Sequence, residues 1–167
     1  MTNYMSSVGK LPQSAALWID TSCLAAFVVL LRLMGWLSGR LGRRPLLMTS
    51  CIGYAVLGYP LFLMAAWGNV TLAVVAQLLM VLLYVPYAGA CPAFYAEIFP
   101  TRVRYAALSI GYNIAVALFG GFAPFIATFL VRGTDDRQAP AAYVIIAAII
   151  TLVILLRTRE TAFTPLQ

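Results

Sequence analysis

Two charged side chains, Asp20 and Arg32, lie inside the first long apolar run of this chain. A charge near the centre of a membrane-spanning helix costs about 2.5–3.5 kcal/mol on insertion scales, so each one requires an explanation. Twelve positions separate the two residues, which is about 18 Å along a helix, so they do not pair with each other. Asp20 could take up a proton or bind a cationic group, or it could simply be hydrated at the mouth of a cavity. Arg32 could bind a carboxylate with its guanidinium fork, or its long stem could extend to the aqueous interface.

Polar side chains also occur in the third and fourth apolar runs. Gln77 and Tyr84 are seven residues apart, which places them on the same face of a helix. Tyr112 and Asn113 follow in the next run. Each of these four side chains could contact a small molecule or lie on a proton path, or it could form hydrogen bonds between helices. All four are therefore candidates for a polar site inside the membrane.

Glycine and proline interrupt the same two runs. Pro86 stands in the third run, and the pair Gly120-Gly121 precedes Pro124 in the fourth. Proline removes a helical hydrogen bond, and glycine allows two helices to approach closely. We therefore expect close packing and a bend of the helix at these positions.

The residue types on which most enzymes depend are missing. The chain has no histidine, so no Ser/His/Asp or Cys/His arrangement can form. Its cysteines, Cys23, Cys51 and Cys91, are widely spaced in apolar surroundings, which gives neither zinc-ligand spacing nor an even disulfide framework. The sequence contains no phosphate-binding glycine loop and no cluster of polar groups at one depth in the membrane. We therefore expect no enzymatic activity, no metal and no cofactor.

The composition indicates that lipid surrounds this chain. Of its 167 residues, 63% are hydrophobic and 10% are charged, and the mean hydropathy is +0.93. Soluble domains carry about 25% charged residues. The net charge of +6 comes from short arginine clusters between apolar runs, without the basic face and interleaved aromatic residues of a nucleic-acid-binding protein. Because helices satisfy their own backbone in lipid, the expected fold class is an all-α membrane protein.

Five apolar runs are long enough to cross a bilayer, for which a helix needs about 17–25 residues. Pro45 suits the first turn of the second helix, and Gly68-Asn69 is a turn signal between the second and the third. Residues 1–167 are expected to form one membrane domain. The predicted spans are 15–37, 46–67, 70–91, 105–131 and 141–156.

Basic residues predict the orientation, because lysine and arginine concentrate on the cytoplasmic side of a membrane protein. One side of the predicted topology carries seven of them and the other carries three. This places the C-terminus in the cytoplasm and the N-terminus outside. Since residues 1–13 lack the apolar core of a signal peptide, we expect further spans upstream. The seven residues are Arg40, Arg43, Arg44, Arg102, Arg104, Arg157 and Arg159, and the three are Lys10, Arg132 and Arg137.

The basic turn after the first span carries a family motif. Residues 35–47 read GWLSGRLGRRPLL, which resembles the Gly-x-Leu-Ser-Asp-Arg-x-Gly-Arg-Arg loop of the major facilitator superfamily. Gly39 stands where that pattern has aspartate. Gly35 and Gly42 permit a short turn, and Arg40, Arg43 and Arg44 are expected to meet carboxylates and helix C-termini on the cytoplasmic side.

A second motif narrows the resemblance. Residues 97–105 read EIFPTRVRY, followed by GYN at 111–113 and FGGFAP at 119–124. This resembles the tenth-to-eleventh-helix region of the metabolite:proton symporters within the superfamily, which carry proline and betaine, α-ketoglutarate, citrate or shikimate. A sugar-porter member shares the first stretch, but its continuation fits less well. Glu97, Arg102 and Arg104 form either a gating or anchoring network or a set of plain topology charges.

The resemblance implies that the five spans correspond to helices 8–12 of a twelve-helix symporter, the C-terminal half of which is only partly present. The first, third and fourth spans would line its central cavity. The expected function is proton symport of a small polar metabolite, an organic acid or a zwitterionic osmolyte. The alternatives are a non-functional remnant and a small membrane subunit that only packs against partners. Since the site forms between two halves, we expect no transport by this chain alone.

Overall fold

Helices account for nearly all of the described part of the chain, which in this computed structural model comprises residues 2–7, 9–10, 12–99, 102–134 and 138–158. Within these residues, five helical stretches are long and apolar enough to span a membrane. This confirms the fold class expected from the composition. The helices are α1 (Thr2–Ser7), α2 (Gln13–Leu41), α3 (Arg43–Ala66), α4 (Val70–Ile98), α5 (Arg104–Ala115), α6 (Ala123–Thr134) and α7 (Ala139–Arg157), with a π-helical segment (Val116–Gly121) between α5 and α6.

Two tight turns follow from local sequence. The single residue Gly42 separates α2 from α3, and its φ of 100° favours glycine. The N–H of Gly42 donates to the carbonyl of Ser38 at 3.2 Å, which closes the end of α2. Between α3 and α4, Gly68 has a φ of 73°. The side chain of Asn69 then caps α4 by accepting the N–H of Thr71 at 2.9 Å.

Helix α4 is the centre of the bundle, with α2 on one side and α3 on the other, while α3 packs in turn against α7. Between α3 and α4 the core consists of large side chains such as Leu61, Phe62 and Met80. Small buried residues, Ala16 and Ala73, lie at the contact between α2 and α4. Small residues bring helix backbones close together. The close contact brings Asp20 of α2 and Gln77 of α4 within hydrogen-bond distance of each other.

Helices α2 and α4 approach each other closely at Gly89. A Cβ added to Gly89 would lie 3.1 Å from the backbone N of Gly35 and 3.1 Å from the carbonyl carbon of Met34. Backbone atoms cannot rotate away as a side chain does. A Cβ added to Gly35, at the same contact between the helices, would have no described residue's atoms within 4 Å beyond those of its own helix backbone and its chain neighbours.

Gly89→Ala is therefore expected to be less stable than Gly35→Ala by about 1–3 kcal/mol, the usual cost of overpacking. Both variants gain the same helix propensity, about 1 kcal/mol. The difference between their free energies of unfolding therefore measures the effect of the close contact between α2 and α4. Thermal unfolding of the two variants in the same detergent measures it. Equal melting temperatures would contradict the close crossing.

The fourth span is not a continuous α-helix. Gly120 and Gly121 lie in the π-helical segment, and Pro124 lies in the first turn of α6, where its missing N–H costs no helical bond. All residues from 109 to 122 are exposed within the described chain, and the best apolar window of this span, Arg104–Val131, contains no buried residue. The glycine-rich stretch thus has little cover from the helices described here.

Candidate functional site

Two cavities adjoin each other along the face of α4 that is turned toward α2 and α5. The first, which we call the acid cavity, has a volume of about 450 Å³ and lies between α2 and α4. The second, which we call the tyrosine cavity, has a volume of about 550 Å³ and lies among α2, α4 and α5. Phe27 and Tyr84 line both cavities. The two cavities therefore form one continuous polar and aromatic surface.

Asp20 and Gln77 meet in the acid cavity. The amide Nε2 of Gln77 donates to Oδ1 of Asp20 at 2.8 Å, which links α2 to α4. Both residues are half-buried. The amide oxygen of Gln77, Oε1, is buried and has no hydrogen-bond partner among the described residues. A carboxylate inside a predicted span thus has both a hydrogen-bond partner and access to a cavity.

Arg32 lies apart from this pair. Its residue is exposed, and it lines neither the acid cavity nor the tyrosine cavity. Its position near the C-terminal end of α2 fits a side chain whose stem extends toward the interface. Arg32 and Asp20 thus occupy separate surroundings, as their spacing predicts.

The tyrosine cavity contains the predicted residues Tyr84, Tyr112 and Asn113. The ring of Tyr84 stacks on Phe27 with centroids 5.8 Å apart and on Tyr87 with centroids 6.2 Å apart. Nδ2 of Asn113 donates to the carbonyl of Ser109 within its own helix, at 2.6 Å. In the described chain this contact is local and does not join two helices.

Sequence reasoning missed several lining residues of the tyrosine cavity, above all Tyr87 and Tyr95. The signal was present, because Tyr84, Tyr87, Cys91 and Tyr95 recur at the three-to-four-residue spacing of one helix face. Pro86 lies within the same stretch, and α4 continues through it. The aromatic stripe is therefore a property of the α4 surface that a periodicity search identifies.

At the far end of the bundle, three helices meet at an ion pair that we call the loop clamp. Nη2 and Nε of Arg43 donate to Oε1 of Glu97 at 3.1 and 3.2 Å. Nη1 of Arg43 donates to the hydroxyl of Ser38 at 2.8 Å. Ser38 is 1% exposed, and the two charged side chains are each 16% exposed. The loop clamp thus joins the end of α2, the start of α3 and the end of α4.

The next arginine reaches a different helix. Nε and Nη2 of Arg44 donate to the carbonyls of Leu155 and Leu156 at 3.0 and 2.9 Å. Carbonyls in the last turn of a helix have no partner within it, and a cation there also offsets the negative end of the helix dipole. Arg44 therefore caps the C-terminus of α7.

The remaining motif residues lie at the same end of the bundle. The guanidinium of Arg40 lies over the ring of Trp36 at 4.0 Å, and Gly39 has only Arg43 near its vacant Cβ position, at 3.7 Å. Nε of Arg104 donates to the carbonyl of Phe99 at 3.2 Å, whereas Arg102 is exposed. Pro100 and Thr101 of the same motif lie outside the described residues.

A cofactor or metal site is not evident in the described part of the chain. No three His, Cys, Asp or Glu side chains within it are grouped so that they could hold a metal ion. The polar groups lie instead along a cavity face and in the loop clamp. Helices long and apolar enough to span a membrane, with a polar cavity face and an arginine-clamped loop, are typical of membrane transporters.

Within that class, the chain belongs to the family described as "Sugar (and other) transporter", whose model matches residues 4–167, and thus to the major facilitator superfamily. The proline/betaine transporter of Salmonella typhimurium is 29% identical over 167 residues, which cover 100% of this chain and 33% of that protein. The ectoine/proline transporter of Corynebacterium glutamicum is 32% identical over 170 residues, covering 99% of this chain and 33% of that protein.

The citrate-proton symporter of Klebsiella pneumoniae is 36% identical over 116 residues, covering 69% of this chain and 26% of that protein. The chain spans about a third of the length of the first two relatives. No solved structure matches it. The resemblance to metabolite:proton symporters that the two motifs indicated is confirmed.

Proposed function

We propose that this chain is the C-terminal part of a proton symporter that carries a small polar metabolite, an organic acid or a zwitterionic osmolyte. The hydrogen bond between Gln77 and Asp20 at the acid cavity carries the proposal. Relatives named as proline/betaine transporters and as a citrate-proton symporter support the substrate range. Residues 1–167 would form one partial transporter domain.

The pair Asp20–Gln77 is suited to two protonation states. When Asp20 is ionised, it accepts the N–H of Gln77. When Asp20 takes up a proton, its new O–H requires an acceptor, and the buried Oε1 of Gln77 is an acceptor that has no donor among the described residues. Loss of the charge lowers the cost of moving this part of α2 into a dry environment. In this proposal, Asp20 takes up the coupling proton and Gln77 positions it.

The loop clamp would hold one conformation of the transporter. Because Arg43 and Glu97 join three helices at one end of the bundle, separating them would free α4 to move relative to α2. Arg102 and Arg104 lie beside this end and would contribute to the gate or to its anchoring. Gly120, Gly121 and Pro124, at the π-helical break, would let the fourth span bend as it rocks.

The orientation proposed for the chain follows from its basic residues. The loop clamp, Arg44 and Arg157 lie at one end of the bundle, which is the end that positive charge assigns to the cytoplasm. The chain would therefore cross the cell membrane several times, with the N-terminus outside and the C-terminus in the cytoplasm. The polar face of α2, α4 and α5 would then open toward an N-terminal half that lies outside this chain.

Because the polar face would need a second half, we expect solute uptake to differ between this chain alone and a chimera that supplies that half. We define the chimera as the Salmonella typhimurium proline/betaine transporter with its matching third replaced by this chain. The chain alone in proteoliposomes is expected to give no uptake, because a site between two halves is incomplete. The chimera is expected to accumulate labelled glycine betaine or citrate when an inward pH gradient is applied.

The unmodified Salmonella transporter in the same vesicles is the control for reconstitution. Uptake by the chain alone would overturn the requirement for a second half. A chimera that reaches the membrane in normal amount and shows no uptake of either compound would favour a non-functional remnant. Stable binding to a membrane partner without uptake would favour a packing subunit.

A further inference from the structure

We infer that the tyrosine cavity binds the cationic end of a zwitterion and favours a quaternary ammonium over an ammonium that carries N–H groups. The inference rests on the proposed transport function and narrows its substrate class. The tyrosine cavity would bind a methylated zwitterion more tightly than a secondary-amine zwitterion such as proline. A carboxylate without a cation, such as citrate, would rank last.

The rings that line the cavity offer the surface that such a cation requires. Tyr84 stacks nearly parallel to Phe27 and to Tyr87, at interplanar angles of 21° and 24°. Tyr95 and Tyr112 add two further rings from α4 and α5. The faces of aromatic rings carry negative charge density and attract a cation held within about 6 Å. Five rings around one space of about 550 Å³ therefore form a site for a bulky cation.

The tyrosine cavity has the size of a ligand site. Its volume of about 550 Å³ lies within the range of about 300–1,000 Å³ that is typical of such sites. Tyr84, which is 46% exposed, and Tyr112, which is 60% exposed, are not covered by the helices described here, and both line this cavity.

The side chains that line the tyrosine cavity disfavour the binding of organic anions. Among the described residues, no charged side chain lines the tyrosine cavity, and Arg32 of α2 is exposed and outside it. A dicarboxylate or tricarboxylate would lose its hydration without gaining a guanidinium partner. Asp20 lines the adjoining acid cavity, which shares Phe27 and Tyr84 with the tyrosine cavity. The aromatic rings of the tyrosine cavity and the carboxylate of the acid cavity therefore both favour a positive charge on the ligand.

The chemistry of the ammonium group decides between two kinds of zwitterion. A primary or secondary ammonium carries N–H donors, each of which requires an acceptor when it leaves water. A quaternary ammonium has no such donors and loses no hydrogen bond on contact with a ring. Ser109, Tyr112 and Asn113 supply neutral polar groups at the α5 side of the cavity, where a single carboxylate can be held.

The test compares two ligands of the same shape. Glycine betaine and 3,3-dimethylbutanoate differ in that a carbon replaces the charged nitrogen. Both are titrated against the chain of residues 1–167 in nanodiscs, with binding followed by equilibrium dialysis. Because the cavity is open, we expect glycine betaine to bind about two- to fivefold more tightly, which is the cation–π contribution at an exposed site. Proline and citrate, used as competitors, are expected to displace it less well.

Variants of the cavity residues test whether the preference for glycine betaine arises in the tyrosine cavity. Tyr84→Leu combined with Tyr112→Leu should reduce the preference for glycine betaine toward one, whereas Tyr84→Phe keeps a ring and should retain it. Tyr59→Leu is the matched control, because Tyr59 is exposed on α3 and does not line the cavity.

Equal affinity of the two isosteric ligands, or the absence of saturable glycine betaine binding, overturns the inference. So does stronger displacement by citrate than by proline. The comparison of ligands needs no variant, so a variant that fails to fold does not affect it. Binding is measured without transport, so a chimera that fails to transport would count against the proposed function and not against this site.

Discussion

Replacement of Asp20 by asparagine in the chimera is expected to reduce accumulation driven by a pH gradient by about a hundredfold or more, the loss typical when a proton-transferring group is removed. Asparagine has the same shape, and its side-chain oxygen can still accept the N–H that Gln77 donates at 2.8 Å. It cannot take up a proton at any relevant pH. Coupling is therefore lost while the contact between α2 and α4 is retained.

Two measurements in proteoliposomes separate coupling from binding. Accumulation under an inward pH gradient should be lost in Asp20→Asn, whereas exchange of labelled for unlabelled solute without a gradient should continue. Thr21→Ala is the matched control, since Thr21 lines the same cavity and its hydroxyl donates to the Leu17 carbonyl within its own helix. Arg32→Gln is expected to keep most of the uptake because Arg32 lies outside both cavities. If Asp20→Asn retained native accumulation and its pH dependence, the assignment of Asp20 as the proton-binding residue would be wrong.

Glu97→Gln is expected to lower the free energy of unfolding by about 2 kcal/mol, between the values for exposed and fully buried ion pairs. The substitution removes the carboxylate that accepts two N–H groups of Arg43, in a pair whose side chains are each 16% exposed. The loop clamp joins α2, α3 and α4, so the loss should weaken the packing of all three helices.

A double-mutant cycle isolates this pair. Glu97→Gln, Arg43→Gln and the double variant are unfolded in the same detergent, and the coupling energy is expected to be about 1–3 kcal/mol. Arg40→Gln is the matched control from the same loop, because Arg40 is exposed and contacts the Trp36 ring instead of a carboxylate. A coupling energy below about 0.5 kcal/mol would show that the clamp does not hold the helices together.

Local chemistry made much of the fold predictable. Apolar runs of membrane-spanning length and very few charges indicated helices in lipid, and Gly42 and Asn69 occupy turns that their residue types favour. The two motifs indicated the transporter superfamily, and the comparisons agree. These inferences succeeded because lipid leaves the backbone few alternatives and each turn depends on one or two residues.

Pairings between helices could not be predicted in the same way. Asp20 and Gln77 are 57 residues apart, and Arg43 and Glu97 are 54 apart. Each was a candidate in the sequence, but which side chains meet depends on how the helices cross, and the crossing depends on small residues such as Gly89. The π-helical segment could not be predicted either. The glycine pair and Pro124 indicate that the α-helix can be interrupted there, but they do not define the backbone geometry that results.

The cap that Arg44 places on α7 has a consequence for how the protein is made. Arg44 precedes its acceptor Leu155 by 111 residues. At a synthesis rate of about 5–20 residues per second, on the order of ten seconds pass before that carbonyl exists. During this time the guanidinium must remain at the bilayer surface, bonded to water or to lipid phosphate. The contact of α3 with the end of α7 therefore forms late in the synthesis of these residues, when Arg44 exchanges water or a lipid phosphate for the carbonyls of α7.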